Sequence, residues 1–283
     1  MTFSSDQLTT LPCGSIIQHG PHNNRIYLMK TGSPMPSGLP AALISQARES
    51  GYSKIFAKVP ESEIKNFQDA GYQCEAVVPG LFSGEEDGMF MGFFLTEQRA
   101  ALPDAAELDG LVELSRVKAS DPLPAVDGFI FRKCGAADTA RMAEIYRDVF
   151  PAYPFPVYEP NYLRRTMSEN IVYFGAEMDG RLVALASAEM DPSSVSAEMT
   201  DFATLPEWRG KRLAEYLLAL MEDAMKELGI KTVYTIARAI SPGMNITFAR
   251  GGYEFGGRLV NNTHISSGIE SMNVWYKPLN PDF

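Results

Sequence analysis

The chain has 283 residues, 45% hydrophobic and 21% charged, with 35 acidic against 25 basic side chains for a formal net charge of −10. That length suits one large domain or two ordinary ones, and the mix is that of a globular protein, not a disordered or fibrous one. The acidic balance argues against broad nucleic-acid or anionic-membrane binding, both of which need a basic face, so an anionic ligand must be held by a local cluster of cations.

Three cysteines far apart, Cys13, Cys74 and Cys134, suit reduced thiols in the cytosol better than a disulfide framework or a metal knuckle. The opening MTFSSDQLTTLPCGS has no basic segment followed by an apolar core, so no secretory signal is expected. No apolar run approaches the roughly 20 residues of a membrane span. His19, His22 and His264 lack ligand-like company, so no metal is expected. The triplets at Asn245 and Asn261 fit the glycosylation pattern, and in a cytosolic chain they are read as chance.

Residues 1–95 read as an α/β segment containing a strand (GYSKIFAKVP), a short helix ending in Gly-Tyr, and two further strands (QCEAVVPGLF, GMFMGFFL). Residues 96–127 mix alanine, charge and proline and read as a connector with some helix, closed by a proline-marked linker over Ser120–Asp127. From 128 to 283 the elements are better marked. FIFRKC (129–134) is a strand, and Asp138 or Thr139 caps a helix through ARMAEIYRDVF. PAYPFPVYEPNY (151–162), with four prolines and four aromatics, cannot be regular structure. After a second short helix, IVYFGAEM and LVALASAEM flank Asp-Gly, the strongest short-range hairpin signal. AEMTDFATL is the next strand. The helix after it places Leu213, Leu217, Leu220, Met221, Ala224 and Leu228 on one face and stops at Gly229. KTVYTIAR is a strand, NITFARG a short helix, and YEFGGRLV and ESMNVWYKPL are closing strands. The order β-α-α-β-β-β-α-β-α-β-β predicts an α/β protein of the α+β kind, a mixed sheet with helices on its faces, neither doubly wound nor a barrel.

The two parts echo one another: each runs strand, short helix, Gly-Tyr, strand, loop, strand, and both carry Phe-x-x-x-Gly-Tyr. A duplicated half that lost its catalytic parts accounts for this; so does the general likeness of any such unit. Residues 1–95 could cover an acceptor cleft or mediate homodimerisation, and the sequence does not choose.

Arg209, Lys211 and Arg212 fall within four residues, between a strand and a helix start, beside Gly210 and Ala214. The first amides of a helix lack intrahelical acceptors and the dipole adds partial positive charge, so this turn is an anion site suited to a diphosphate. A plain solvated helix start is the competing reading, although cations in a first turn oppose the dipole by a few tenths of a kcal/mol each. The stretch is neither a P-loop nor a Rossmann turn.

RGKRLA (209–214) resembles the [Q/R]-x-x-G-x-[G/A] signature of the GNAT acetyltransferases, whose loop amides bind the coenzyme A diphosphate. Arg209 and Ala214 match, while Arg212 stands where glycine is usual, which implies a side chain that points away or clasps a phosphate. NITFARGGY (245–253) resembles the family's later motif. The resemblance implies the GNAT fold with an extra N-terminal segment, acetyl-CoA as co-substrate, and coenzyme contacts from Phe202, Ala203, Thr204, Arg209, Gly210, Lys211, Arg212, Leu213, Ala214, Asn245 and Phe248. Across the whole chain, MTDFATLPEWRGKRLA, NITFARGGYEFGGRLVNNTHI and ESMNVWYKPL look like the β-lysine N-acetyltransferases. That likeness implies acetylation of the N6 amine of β-lysine to give N6-acetyl-β-lysine, a compatible solute. Another small amine or a protein lysine as acceptor, or a non-catalytic acyl-CoA-binding module, are the alternatives.

An alkylammonium must lose its proton before attacking a thioester, at a cost near pH 7 of about 4–5 kcal/mol, and a neighbouring carboxylate is the usual remedy. Glu198 and Asp201 are the candidates, with Glu189 a weaker third. Glu198 precedes Arg209 by eleven residues, the spacing that resembles the general base of GNAT histone acetyltransferases. Strand alternation sets Glu198 and Asp201 on opposite faces unless a bulge intervenes. The place of the family's thiolate-protonating tyrosine is taken by Phe248, which leaves that role to water, Tyr253 or another residue. Acceptor contacts are expected from Tyr153, Phe155, Tyr158 and Glu159 in the proline-rich loop, and from Arg258, Asn261, Asn262 and Thr263.

Overall fold

A computed structural model describes residues 6–279 except 121, 152, 266 and 267. The five opening residues read for a signal, Asp121 of the linker, Ala152 of the proline-rich loop, and Ser266 and Ser267 after the acceptor asparagines lie outside the described residues.

The first half is built from β1 (Gln7–Thr10), β2 (Ile16–Gly20), β3 (Arg25–Lys30), α1 (Leu39–Glu49), β4 (Lys54–Pro60), α2 (Ile64–Asp69), β5 (Gln73–Phe82) and β6 (Glu86–Phe94). Helices α3 (Glu97–Ala100) and α4 (Ala105–Val117) follow. The second half contains β7 (Phe129–Lys133), α5 (Thr139–Val149), α6 (Pro160–Glu169), β8 (Ile171–Met178), β9 (Arg181–Asp191), β10 (Ser196–Thr204), α7 (Leu213–Glu227), β11 (Thr232–Arg238), α8 (Pro242–Arg250), β12 (Glu254–Ile265) and β13 (Gly268–Pro278). The order from β7 onward is the one the sequence predicts. At the β8–β9 turn Asp179 and Gly180 have φ of 49° and 75°, the paired positive values a two-residue hairpin needs. Gly229, at φ 77°, ends α7. The buried stripe of α7 is Leu213, Leu217, Leu218, Met221 and Met225. Leu220 and Ala224 are only partly buried, and Leu228 is 58% exposed at the helix cap, where the chain already turns out of the helical phase.

All thirteen strands form one mixed sheet in the order β1-β2-β3-β4-β6-β5-β12-β13-β11-β10-β9-β8-β7. The first six positions repeat, in mirrored sequence, the plan of β8-β9-β10-β11-β13-β12. In each six-strand plan the third and fourth strands in chain order pair in parallel, and every other pair is antiparallel. The Gly-Tyr echo is a shared local structure. Tyr72 donates its amide to Phe67 and packs edge-on against that ring at 5.0 Å, and Tyr253 does the same to Phe248 at 5.1 Å.

The halves join where β12 meets β5 antiparallel, with Gly257 opposite Ala76. A Cβ on Gly256 would sit 2.4 Å from the Val77 carbonyl oxygen, and one on Gly257, at φ 143°, 2.3 Å from that of Glu75. Only glycine permits this approach. From the junction the sheet rolls inward. Five strand steps separate β4 from β11, about 24 Å if the sheet were flat, yet Lys58 Nζ donates to the Tyr234 hydroxyl at 3.2 Å. One apolar cluster contains Tyr27, Phe56 and Phe90 from the first half and Tyr234, Leu259 and Val274 from the second. The three cysteines are unpaired. No helix among the described residues is long and apolar enough to cross a membrane.

Gly257→Ala is expected to lower unfolding stability by roughly 2–3 kcal/mol, through backbone strain and a clash at the junction. Chemical denaturation against the parent protein measures it, and an unchanged midpoint would mean the junction is not close-packed.

Candidate active site

Strand β10 pairs with β11 only from Ser196 to Glu198, although β10 continues to Thr204 and β11 to Arg238. The two parallel strands therefore splay, and the β11-facing edge of residues 199–204 has no strand partner. On its other edge β10 bulges: Thr200 pairs with Ser187 and Ala203 with Leu185, so one extra residue is accommodated, and Asp201 takes φ 55°. The bulge breaks the alternation that would otherwise part Glu198 from Asp201. Both line one cavity of about 490 Å³.

Asp201 is held on both oxygens. Ser187 donates to Oδ2 at 2.6 Å, and the Tyr153 hydroxyl makes a very short bond to Oδ1. Burial raises its pKa, and those two bonds oppose the rise. Glu198 is pushed up to about 8, first by burial and then by Glu189, against the pull of Lys58. Glu189, also in the cavity wall, is raised by burial and by Asp201. Three buried carboxylates sharing one pocket cannot all ionise cheaply. Glu198 has the value that suits a base working near neutrality, while Asp201 is occupied in orienting Tyr153 and Ser187.

The basic loop lies beyond the splayed edge and does not line the cavity. Arg209, Gly210 and Lys211 are exposed, and Arg209 donates from Nε to the Thr204 carbonyl at 3.2 Å. Arg212 caps α7 in the left-handed conformation, φ 58° and ψ 27°. Its guanidinium turns back to Glu215, with Nε at 2.7 Å from Oε1, and to the Pro122 carbonyl. Of the two outcomes its sequence position allows, the side chain points away. The amides of Gly210, Lys211, Leu213 and Ala214 donate to no protein acceptor among the described residues. Bare amides at a helix start, with Arg209 and Lys211 beside them, fit a diphosphate.

The other expected residues divide. Phe202 and Phe248 meet edge-on at 5.5 Å in the cavity wall, and Tyr153, Phe155 and Asn262 line it too. Ala203 is buried in the core behind. Asn245 corrects the coenzyme expectation: it is fully buried, and its amide is spent within the fold. It donates to the carbonyls of Arg238 at 3.0 Å and Ser241 at 2.7 Å, and accepts from Asn273 at 2.8 Å and Trp275 at 2.9 Å. Four acceptor expectations are corrected likewise. The Tyr158 hydroxyl bonds the Phe150 carbonyl, Glu159 is exposed at the start of α6, Arg258 is tied to Asn273 and Asp109, and Asn261 donates to the carbonyls of Arg99 and Ala101. None of the four lines the cavity. Tyr253 is also absent from its wall and lies over Lys277.

The first half supplies the wall that sequence reasoning missed: Arg25 and Tyr27 from β3, and Phe56 and Lys58 from β4. A signal was present. Arg25, Tyr27 and Met29 fall on one face of β3, and Lys54, Phe56 and Lys58 on one face of β4, so cations alternate with apolar residues on faces that should be core.

Likeness to known proteins bears on the class. The pattern of the acetyltransferase (GNAT) family matches residues 139–243. A β-lysine N(6)-acetyltransferase of Methanococcus maripaludis is 39% identical over 264 residues, 93% of this chain and 96% of its own length. The N-acetyltransferase YodP of Bacillus subtilis is 32% identical over 94% of this chain and 96% of its own. A β-lysine N(6)-acetyltransferase of Methanosarcina mazei is 42% identical over 54% of this chain and 56% of its own. The chain belongs to the GNAT acetyltransferase family. Within it, the protein is an N-acetyltransferase.

Asn245→Ala should cost on the order of 3 kcal/mol of stability, because buried partners lose their bonds. At temperatures where the variant stays folded, its affinity for acetyl-CoA, read by calorimetric titration, should match the parent. A selective loss of that affinity would restore the coenzyme role.

Proposed function

We propose that the protein transfers the acetyl group of acetyl-CoA to the N6 amine of β-lysine. The observation that carries this reading is a buried glutamate poised near pH 8 at the mouth of a splayed parallel strand pair, in a chain alike over nearly its full length to a β-lysine N(6)-acetyltransferase. The loop amides at 210–214, with Arg209 and Lys211, would hold the diphosphate. The unpaired edge of β10 would bind the extended amide-bearing arm as an added strand. The thioester of that co-substrate supplies the acetyl group. Glu198 accepts the proton that the ammonium must shed, and the surrounding carboxylates draw the cationic amine into a cavity where little water competes. Asp201 fixes Tyr153 in the wall against the acceptor. The product, N6-acetyl-β-lysine, keeps one ammonium and one carboxylate and is a net-neutral zwitterion, the charge state suited to a compatible solute. Free thiols fit work in a reducing cytosol.

We further read residues 1–95 as a second copy of the strand plan, 96–127 as the connector and 128–283 as the acetyltransferase unit. The stretch between β3 and α1, TGSPMPSG, carries no counterpart of the basic loop, which supports a half that lost coenzyme binding and kept a wall.

The test is thiol release from acetyl-CoA with β-lysine, lysine, ornithine and simple diamines. The highest kcat/KM is expected for β-lysine, and a panel without any acetylated amine would remove the reading. Glu198→Gln is expected to lower turnover about 100-fold to 10,000-fold with acetyl-CoA binding retained. Because only the ionised carboxylate accepts a proton, kcat/KM should rise with pH and inflect near 8. The Gln variant should lack that inflection; its persistence would assign the base elsewhere.

A further inference from the structure

The cavity wall holds a cation to which no carboxylate is bonded among the described residues; Asp6 and Glu75 favour its charge only from a distance. Arg25 is 5% exposed, lies in the cavity wall, and donates from its terminal nitrogen to the Asn262 carbonyl and, at 3.2 Å, to the Thr263 hydroxyl. Both acceptors are neutral, and its Nε is buried without a partner. The guanidinium lies 5.4 Å from the Tyr27 ring and 5.6 Å from Phe56. Around it the balance is positive. Lys54 and Arg99 are buried nearby and repel it and one another, and the carboxylate bonded within the group, Glu75, is engaged by Lys54 at 2.8 Å. Burying a charge without a bonded counter-ion is expensive.

The other cations of the wall are accounted for. Arg238 forms a two-point pair with Glu270 at 2.8 and 2.6 Å. Lys58 acts on Glu189, Asp191 and Glu198 together, and Lys30 is exposed. Beside Arg25 sits a complementary orphan. Asn262 is 1% exposed, lines the cavity, and its Oδ1 accepts from nothing. A register shift in β12 between Leu259 and Thr263, with Asn261 at φ 43°, sets it there. The Asn261 amide anchors that shift to the Arg99 and Ala101 carbonyls.

We propose that Arg25 and Asn262 form the subsite for an amino-acid head group: the Arg25 guanidinium takes the acceptor's carboxylate and Asn262 Oδ1 takes its non-reacting ammonium. An unsatisfied cationic donor next to an unsatisfied acceptor matches a carboxylate and an ammonium only a few bonds apart. The inference deepens the reading above and rests on it: the carboxylates of Glu198, Glu189 and Asp201 select the reacting amine, and Arg25 distinguishes an amino acid from a simple diamine. The specificity element thus comes from the half of the chain without a coenzyme loop.

The test compares carboxylated acceptors with their decarboxylated counterparts, β-lysine with 1,4-diaminopentane and lysine with cadaverine, in the parent protein, Arg25→Gln and Asn262→Asp. The parent should favour the carboxylated member. Arg25→Gln should raise KM for it roughly 10-fold to 150-fold, the worth of one charge-assisted bond, while kcat and the KM of the diamine stay within a few-fold. Asn262→Asp, nearly isosteric and spared the loss of a buried guanidinium, should shift preference the same way by placing a carboxylate against Arg25. A parent without preference for the carboxyl group, or variants that weaken both members equally, would overturn the subsite. If lysine alone is acetylated, the β-lysine assignment falls and the lysine–cadaverine pair decides the subsite. If no amine is acetylated, calorimetric titration with β-lysine decides: binding to the parent that Arg25→Gln abolishes supports it, and no binding to the parent refutes it.

Discussion

The backbone approach of β12 to β5 at Gly256 and Gly257 is the constraint on which the active-site architecture depends. It fuses two six-strand plans into one sheet and brings their equivalent strands toward one another as the sheet rolls. The parallel pair β3–β4 then faces the parallel pair β10–β11 across the cavity. Without that contact the second half would carry its carboxylates on an open surface. With it, those carboxylates are desolvated, and a wall of opposite charge stands against them.

Desolvation, more than any pairwise contact, sets the chemistry of the site. Burial is the largest cause of the upward shifts at Glu198, Glu189 and Asp201, with mutual repulsion second or absent. Burial is likewise the largest cause of the downward shifts at Arg25 and Lys54, to about 10 and about 8. The same removal of water weakens the charged form of acids on one side and of bases on the other. A pocket so arranged is poised for a ligand with both kinds of charge, since each ligand charge relieves a penalty already incurred in the empty fold.

The fold was legible in the sequence where local signals were strong. Asp179-Gly180 marks its hairpin, Gly229 ends its helix, and the Phe-x-x-x-Gly-Tyr echo corresponds to the same edge-on ring pair in both halves. The basic turn before α7 was legible because small residues and cations cluster there in the sequence. The acceptor site was harder to read. Asn245 is in a motif position, but an asparagine with two donors and an acceptor can serve a ligand or the core, and only the positions of Asn273 and Trp275 reveal which. Arg258 looks like a substrate reader until Asp109 of α4 appears beside it. The first-half wall was missed because it depends on a contact between residues 176 apart, Lys58 with Tyr234, and no local pattern encodes which faces will meet.

Arg212 illustrates how a departure from a sequence pattern can preserve its physical purpose. Glycine is favoured there because the cap residue adopts φ near 60°, where a side chain costs about 1–2 kcal/mol. The arginine bears that strain, yet its guanidinium bonds Glu215, which also pairs with Arg250 at 3.1 Å, and it reaches across to the Pro122 carbonyl of the linker. The bulk is thereby directed over the outer surface of α7 and the amides behind it stay bare. What the turn requires is an unobstructed row of N–H groups, and the side chain meets that requirement by being tethered elsewhere. The same tether joins the linker to the basic turn, so the segment that leads out of the first half also helps to hold that turn in shape.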